Sequence, residues 1–347
     1  MAVLKVLKKE ELGKLLEELK GEFQIVAPII RKYGKKERVE YHQVEDFSEI
    51  HLNRQPDTPP KKYFLPQNER LGEEKSGEPV VEPGDRKTLI FGVRSCDLKA
   101  IDILKPVFLD DDFTDTFFQK RLENTVMFGL GCSERQDNCF CDSLGINPLE
   151  DEDVPVYMYD DGEKIWFHVT DSELEKFFTD FPDGDPEELE KMKKVWQEEF
   201  EKSAIEIGVP IPFPELVAFN APFWKEVAAN CLGCGICTYY CPTCFCFGFF
   251  WEKREEEIDK WRTWDSCMFP LFTKHGSGHN PRETQEQRTR QRIMHKFSYH
   301  PNNFDGVPAC SACGRCISHC PVNIDLRVIL KTAEKYLKDE EGVKSSG

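Results

Sequence analysis

No stretch of this chain approaches the roughly 20 consecutive apolar residues that a membrane-spanning helix requires. The longest apolar run of note, CFCFGFFW at 244–251, is far too short, so any hold on a membrane is expected to come through partners. Positive charge is scarce as well: 46 Lys and Arg stand against 63 Asp and Glu, a formal net charge of −17. A chain of that sign repels phosphate backbones, which excludes nucleic-acid binding as its main task. The sequence also has no GxGxxG after a strand, no GxxxxGKS, no HExxH and no GxSxG. Neither a dinucleotide site nor a hydrolytic centre is therefore signalled, and no flavin or NAD(P) site is expected in this chain. The opening MAVLKVLKKEELGKLLEELKGEF lacks the apolar core and small-residue cleavage site of a secretory signal. The expected compartment is the cytoplasm, where thiols stay reduced and serve metals or catalysis.

What the chain does have is sulfur: 15 cysteines in 347 residues, six of them inside CLGCGICTYYCPTCFCF at 231–247. A chain of this length buries a core without help, so metal sites would add chemistry to a fold that does not depend on them.

The expected fold class is α+β, with an N-terminal α/β domain over 1–212 and an α-helical ferredoxin-like domain over 213–340. Residues 1–35 read as a helix with Leu4, Leu12, Leu15, Leu16 and Leu19 on its apolar face, followed by the strand FQIVAPI. A polar, proline-containing stretch to about residue 86 reads as surface hairpins or loop. Two short apolar strands, TLIFGV (88–93) and TVMFGLG (125–131), flank the helical pattern DLKAIDILKPVF. Strand, helix, strand is the order of a parallel sheet. VPVYMY and KIWFHVT read as further strands and DPEELEKMKKVWQEEFEK as a solvated helix with one apolar face. The prolines of GVPIPFPEL mark the domain boundary. Beyond it, WEKREEEIDKW and RETQEQRTRQRIMHKF both read as helix.

The cysteine spacing occurs twice: Cys231, Cys234, Cys237 and Cys241 before Pro242, then Cys310, Cys313, Cys316 and Cys320 before Pro321. Three thiolates at three-residue steps wrap a loop around one face of a cubane, and Gly233, Gly235 and Gly314 let backbone amides approach its sulfides. In a two-cluster arrangement the cysteine before the proline ligates the other cluster. The expected ligand sets are therefore Cys231, Cys234, Cys237 and Cys320 for one [4Fe-4S] cluster, and Cys310, Cys313, Cys316 and Cys241 for the second. A pair of zinc sites is the alternative, although zinc motifs usually present two CxxC pairs across a longer spacer. Cys244, Cys246 and Cys267 are expected to be small buried hydrophobes. Arg282, Arg288, Arg290 and Arg292 read as a solvated helix face, or as charges that raise a cluster potential or dock an acidic partner. His275, His279, His295 and His300 read as capping or surface residues.

Four more cysteines lie in the N-terminal half: Cys96, Cys132, Cys139 and Cys141. If the strands at 88–93 and 125–131 are parallel neighbours, these thiols emerge at the carboxyl edge of the sheet, where such folds place their sites. They are expected to hold a third [4Fe-4S] cluster, with Arg94 and Asp97 tuning it. Reduced core cysteines or a structural zinc remain open, as do a capping Asp97 and a surface Arg94.

Taken in order, GVRSCDLKAIDIL, NCFCDSLG, CLGCGICTYYCPTCFCF, WDSCMF, GHNPRETQEQRTRQRIMHKF and CSACGRCISHCPVNID resemble the β subunit of cytoplasmic nickel-iron sulfhydrogenases and the related iron-sulfur subunit of anaerobic sulfite reductases. The resemblance covers about residues 85–330. It implies an iron-sulfur relay with no catalytic residues of its own. Electrons would pass between a subunit carrying FAD and a [2Fe-2S] centre, which exchanges hydride with NAD(P)H, and a catalytic partner. For a sulfhydrogenase that partner would be a small iron-sulfur subunit with a large nickel-iron subunit. The alternative partners are those of a sulfite reductase or a heterodisulfide-reductase-like assembly. A metal-stapled scaffold is the competing reading from another class.

Overall fold

The structure, a computed structural model, describes residues 2–73, 87–150, 153–213, 219–254 and 257–345. The end of the proline-containing stretch before residue 86 and the last residues of GVPIPFPEL lie outside that set. The chain forms two compact units, which part at Phe64/Leu65 and again at Ala204/Ile205.

The first unit is built on a seven-stranded sheet. Its strands are β1 (Val3–Lys8), β2 (Phe23–Tyr33), β3 (Lys36–Gln43), β5 (Lys87–Arg94), β6 (Thr125–Leu130), β7 (Val156–Asp160) and β8 (Lys164–Val169), while β4 (Asn68–Glu73) belongs to the second unit. The order is β1-β8-β7-β6-β5-β2-β3. The central strands β2, β5, β6 and β7 run parallel, and antiparallel β3, β8 and β1 finish the two sides. Leu89 to Val93 of β5 are all buried, as an interior parallel strand covered on both faces requires. Helix α2 (Ser95–Phe108) makes the crossover from β5 towards β6, helped by α3 (Thr116–Glu123), whose first amides are capped by the Asp115 carboxylate. Helix α4 (Pro186–Lys202) starts on an Asp185 cap.

One N-terminal expectation is corrected. Leu4 lies in strand β1, and helix α1 runs only over Leu12–Lys20. The short run VLKVLK pairs along β8, with Lys5 opposite Phe167, so a distant partner overrides the local helical spacing. Leu15, Leu16 and Leu19 keep the helical face and are fully buried against Ile25, Leu89, Phe128 and Phe167.

The second unit holds helices α5 (Phe223–Ala228), α6 (Ile236–Tyr239), α7 (Gln285–Met294), α8 (His300–Asn303), α9 (Arg315–Ser318) and α10 (Leu326–Ser345), with a π-helical turn at His295–Tyr299. It also holds a three-stranded antiparallel sheet, β4-β10-β9, whose hairpin strands are β9 (Phe247–Arg254) and β10 (Glu257–Trp264). This corrects the helix expected over WEKREEEIDKW. Phe250 stacks on Trp261 with ring planes 7° apart across the hairpin, and Arg262 Nε donates to Glu69 Oε2 at 2.9 Å from a strand 193 residues earlier. Among the described residues no helix is long and apolar enough to cross a membrane.

Candidate iron-sulfur centres

The repeated cysteine spacing folds twice into the same turn. Gly235 and Gly314 occupy matching positions at φ 76° and 77° and cap the short helices α6 and α9. In each turn the glycine carbonyl accepts from the amides three and four residues on, at 2.9 and 3.1 Å in both copies. Two residues before each glycine the chain is left-handed again, at Gly233 (φ 66°) and Ala312 (φ 50°). A non-glycine held there costs about 1–3 kcal/mol, a strain that persists only where the surroundings demand it. A Cβ on Gly235 would lie 2.7 Å from the Phe269 ring, so glycine is required there by space as well as by φ.

The turns bring cysteines from both motifs together. Cys231, Cys234 and Cys237 line one cleft with Cys320 and Cys316 of the second motif. Cys241 of the first motif neighbours Cys310, which also senses Cys316, and Cys313 is buried in the same loop. Amides and side chains already point at several sulfurs: Gln285 Nε2 at Cys231 (3.2 Å), the Ala312 amide at Cys310 (3.4 Å) and the Ile324 amide at Cys320 (3.2 Å). Burial pushes the Cys237 thiol up to about 11, against the pull of Arg292, with Cys316, Cys231 and Cys241 adding to the rise. Burial likewise takes Cys310 up to about 11, opposed by Lys296. Thiols crowded in this way resist ionising until a metal supplies the compensating charge, which makes them ligands rather than nucleophiles.

The cations beside them correct the expectation of a solvated arginine face. Arg288, Arg292 and Lys296 recur at four-residue steps and are all buried, at 6, 7 and 3% exposure. Arg288 holds the Gln285 side chain that donates to Cys231, and Arg292 donates to the Cys237 carbonyl at 3.1 Å. Lys296 donates to Cys241 Sγ at 3.4 Å. Burial works against the Lys296 ammonium, but Cys241, Cys244 and Cys310 outweigh it and hold it above the ordinary lysine range. Arg290 instead stacks on Phe219, 3.9 Å from the ring centre. His300 is buried rather than at the surface, with Nδ1 2.8 Å from the Val307 carbonyl. The remaining cysteines pair with other thiols: Cys244 hydrogen-bonds Cys241, which is thereby held well below the usual thiol range, and Cys246 bonds Cys267. Only Cys267 of the three is buried.

In the first unit, Cys96 sits in the first turn of α2 after β5, and Cys132 follows β6. Cys139 and Cys141 lie in the loop beyond, their sulfurs 3.5 Å apart. All four thiols line one cleft with Gln55, Arg94 and Arg135. The parallel neighbours β5 and β6 put them at the carboxyl edge of the sheet. Arg94 is buried rather than at the surface and donates to the carbonyls of Gly131 (3.1 Å) and Leu52. Gln55 Nε2 reaches Cys96 Sγ at 3.5 Å, and Arg135 is fixed by Asp142 at 2.7 Å. The hydrogen bond between the Cys139 and Cys141 sulfurs pulls the Cys139 thiol down to about 7 against burial, with Arg135 assisting.

Buried polar atoms test whether a cluster fits. Thr289 Oγ1, Arg292 Nε and Ser311 Oγ are buried and have no hydrogen-bond partner among the described residues. Thr289 and Arg292 line the cleft of Cys231, Cys234, Cys237 and Cys320, and Ser311 follows Cys310. Donors stranded in this way are what the sulfides and thiolates of an iron-sulfur cluster would satisfy. Among the described residues no group of three or more His, Cys, Asp or Glu is placed to hold a metal ion. Cys231, Cys234, Cys237, Cys316 and Cys320 line one cleft and Cys96, Cys132, Cys139 and Cys141 another. Lys296, Thr243, Gln285, Gln55 and Arg135 belong to these sites without any motif in the sequence that marks them. The spacing of Arg288, Arg292 and Lys296 along one helix face is the available signal for the first of them.

Two turns of this geometry, a cleft lined by thiols from both motifs and buried cations beside them, define an iron-sulfur dicluster protein. A family model described as a 4Fe-4S dicluster domain matches residues 230–324. The sulfhydrogenase 2 subunit beta of Pyrococcus furiosus is 31% identical over 282 residues, covering 77% of this chain and 80% of that protein. The chain belongs to the sulfhydrogenase β-subunit family and is an iron-sulfur electron-transfer subunit. No solved structure matches it.

Proposed function

We propose that this chain relays electrons, one at a time, between a flavin subunit that exchanges hydride with NAD(P)H and a nickel-iron hydrogenase partner, within a cytoplasmic multisubunit complex. The observation that carries the reading is the exchange of the fourth cysteine: Cys320, with Cys316, shares a cleft with Cys231, Cys234 and Cys237, while Lys296 bonds both Cys241 and the carbonyl of Ala309, the residue before Cys310. Cys231, Cys234, Cys237 and Cys320 would hold one [4Fe-4S] cluster and Cys310, Cys313, Cys316 and Cys241 the second. Cys96, Cys132, Cys139 and Cys141 would hold a third in the first unit, supported by their common cleft and the two arginines beside it. Bound clusters supply one-electron chemistry. The protein supplies burial, hydrogen bonds to sulfur and buried positive charge, which set the potentials. Hydride chemistry and hydrogen activation are assigned to partners.

The test uses the assembled complex. Cys231→Ala or Cys313→Ala is expected to abolish hydrogen-linked NAD(P)H turnover while the partners keep their activities with artificial dyes. Full physiological turnover in either variant would end the relay assignment.

A further inference from the structure

Resting on that reading, the buried lysine beside Cys241 is assigned a role that no ligand performs. Lys296 lies in the π-helical turn His295–Tyr299, which follows α7 directly; π turns of this kind recur where a helix must re-aim a side chain at a functional site. Its ammonium makes three hydrogen bonds in the second unit: to Cys241 Sγ at 3.4 Å, to Thr243 Oγ1 at 2.9 Å and to the Ala309 carbonyl at 2.7 Å. Thr243 closes the same knot, with its hydroxyl 3.2 Å from Cys241 Sγ and 2.8 Å from the Ala309 carbonyl. One end of this knot is the fourth cysteine of the first motif, and the other is the residue before Cys310, which opens the second.

We propose that Lys296, with Thr243, is the positioning residue that delivers Cys241 to the second cluster and sets that cluster's potential above the first. A fully desolvated cation donating to a ligand sulfur stabilises the added electron, because reduction makes the cluster more negative. Arg292, one turn earlier, lines the cleft that Cys237 and Cys316, ligands of the two sets, share, and donates to a carbonyl rather than to a sulfur. Its charge acts on both clusters. Lys296 instead donates directly to the sulfur of Cys241, a ligand of the second set. The two cations thus share the work unequally, and the inequality makes the second cluster the easier one to reduce.

The experiment is a spectroscopically monitored redox titration of the full chain, prepared without oxygen, with iron and acid-labile sulfide measured on every sample. Lys296→Met is expected to lower the second cluster's midpoint by at least tenfold in its reduced-to-oxidised ratio at fixed potential, about 59 mV for one electron. The first cluster should not move, and Lys296→Arg should recover part of the shift. Thr243→Val removes only the hydroxyl and is expected to shift the same cluster in the same direction by less. That variant carries the test if Lys296→Met does not assemble. Unchanged potentials in Lys296→Met with full iron, or in Thr243→Val where Lys296→Met does not assemble, or equal shifts of both clusters, would overturn the role of Lys296 alone. Absence of two cluster signals in the unsubstituted protein would instead overturn the relay reading beneath it.

Discussion

At the scale of single residues, His295 shows how the buried cations reach beyond the sulfurs. Burial takes its imidazole down to about 4, with Lys296, His300 and Arg282 adding to the fall. A folded-state value below the unfolded one means that the unfolded chain binds the extra proton first. His295 therefore contributes stability that is fully present above about pH 6.5 and is lost as pH falls towards 4. The expected slope is up to about 1.4 kcal/mol per pH unit in that window. Anaerobic urea midpoints between pH 5 and 7 should show it in the parent protein and a flatter dependence in His295→Gln. Equal slopes in the two proteins would remove the histidine from the account. Lys296 makes the same point in the opposite sense: Cys241, Cys244 and Cys310 hold its ammonium charged against burial.

At the scale of elements, the second unit depends on a sheet that joins distant parts of the chain. Arg262 and Glu69 pair across β10 and β4 with side chains 3 and 1% exposed, and Arg70 meets Asp259 at 2.6 Å on the same strands. Glu69→Ala removes the carboxylate that pairs with the buried Arg262 charge and is expected to destabilise the second unit by about 3–5 kcal/mol. Glu69→Gln should cost less, because it keeps one acceptor. A change under about 0.5 kcal/mol in chemical denaturation would place the pair in the surface class instead. This sheet also shows what the sequence conceals. The parallel β5-α2-β6 unit is legible because apolar runs and a crossover helix announce it locally, and the two cysteine turns are legible because ligand spacing is itself a local code. The β9–β10 hairpin is not, because the charges of WEKREEEIDKW satisfy a helical pattern and the partner Glu69 lies 193 residues away. The buried stripe of Arg288, Arg292 and Lys296 is hidden for a related reason. Charge on a helix usually faces water; here thiols from two distant motifs draw Arg292 and Lys296 inward, and Arg288 is held by Gln285 and the carbonyls of Arg282 and Glu283.

At the scale of the whole molecule, the sheet unit and the helical unit repeat one chemical arrangement: cysteines from separate segments lining a cleft, with buried or half-buried cations beside them. In the first unit the cations are Arg94 and Arg135, and in the second they are Arg292 and Lys296. Positive charge of this kind favours a cofactor that is anionic with its thiolates and becomes more so on reduction, which is the common requirement of every step in an electron relay. The measurement that tests this most directly is iron, acid-labile sulfide and zinc per chain on protein purified without oxygen. The account predicts about 12 iron with matching sulfide, from three cubanes, and almost no zinc. About 8 iron would withdraw Cys96, Cys132, Cys139 and Cys141 from the ligands, and little iron with stoichiometric zinc would contradict the relay itself.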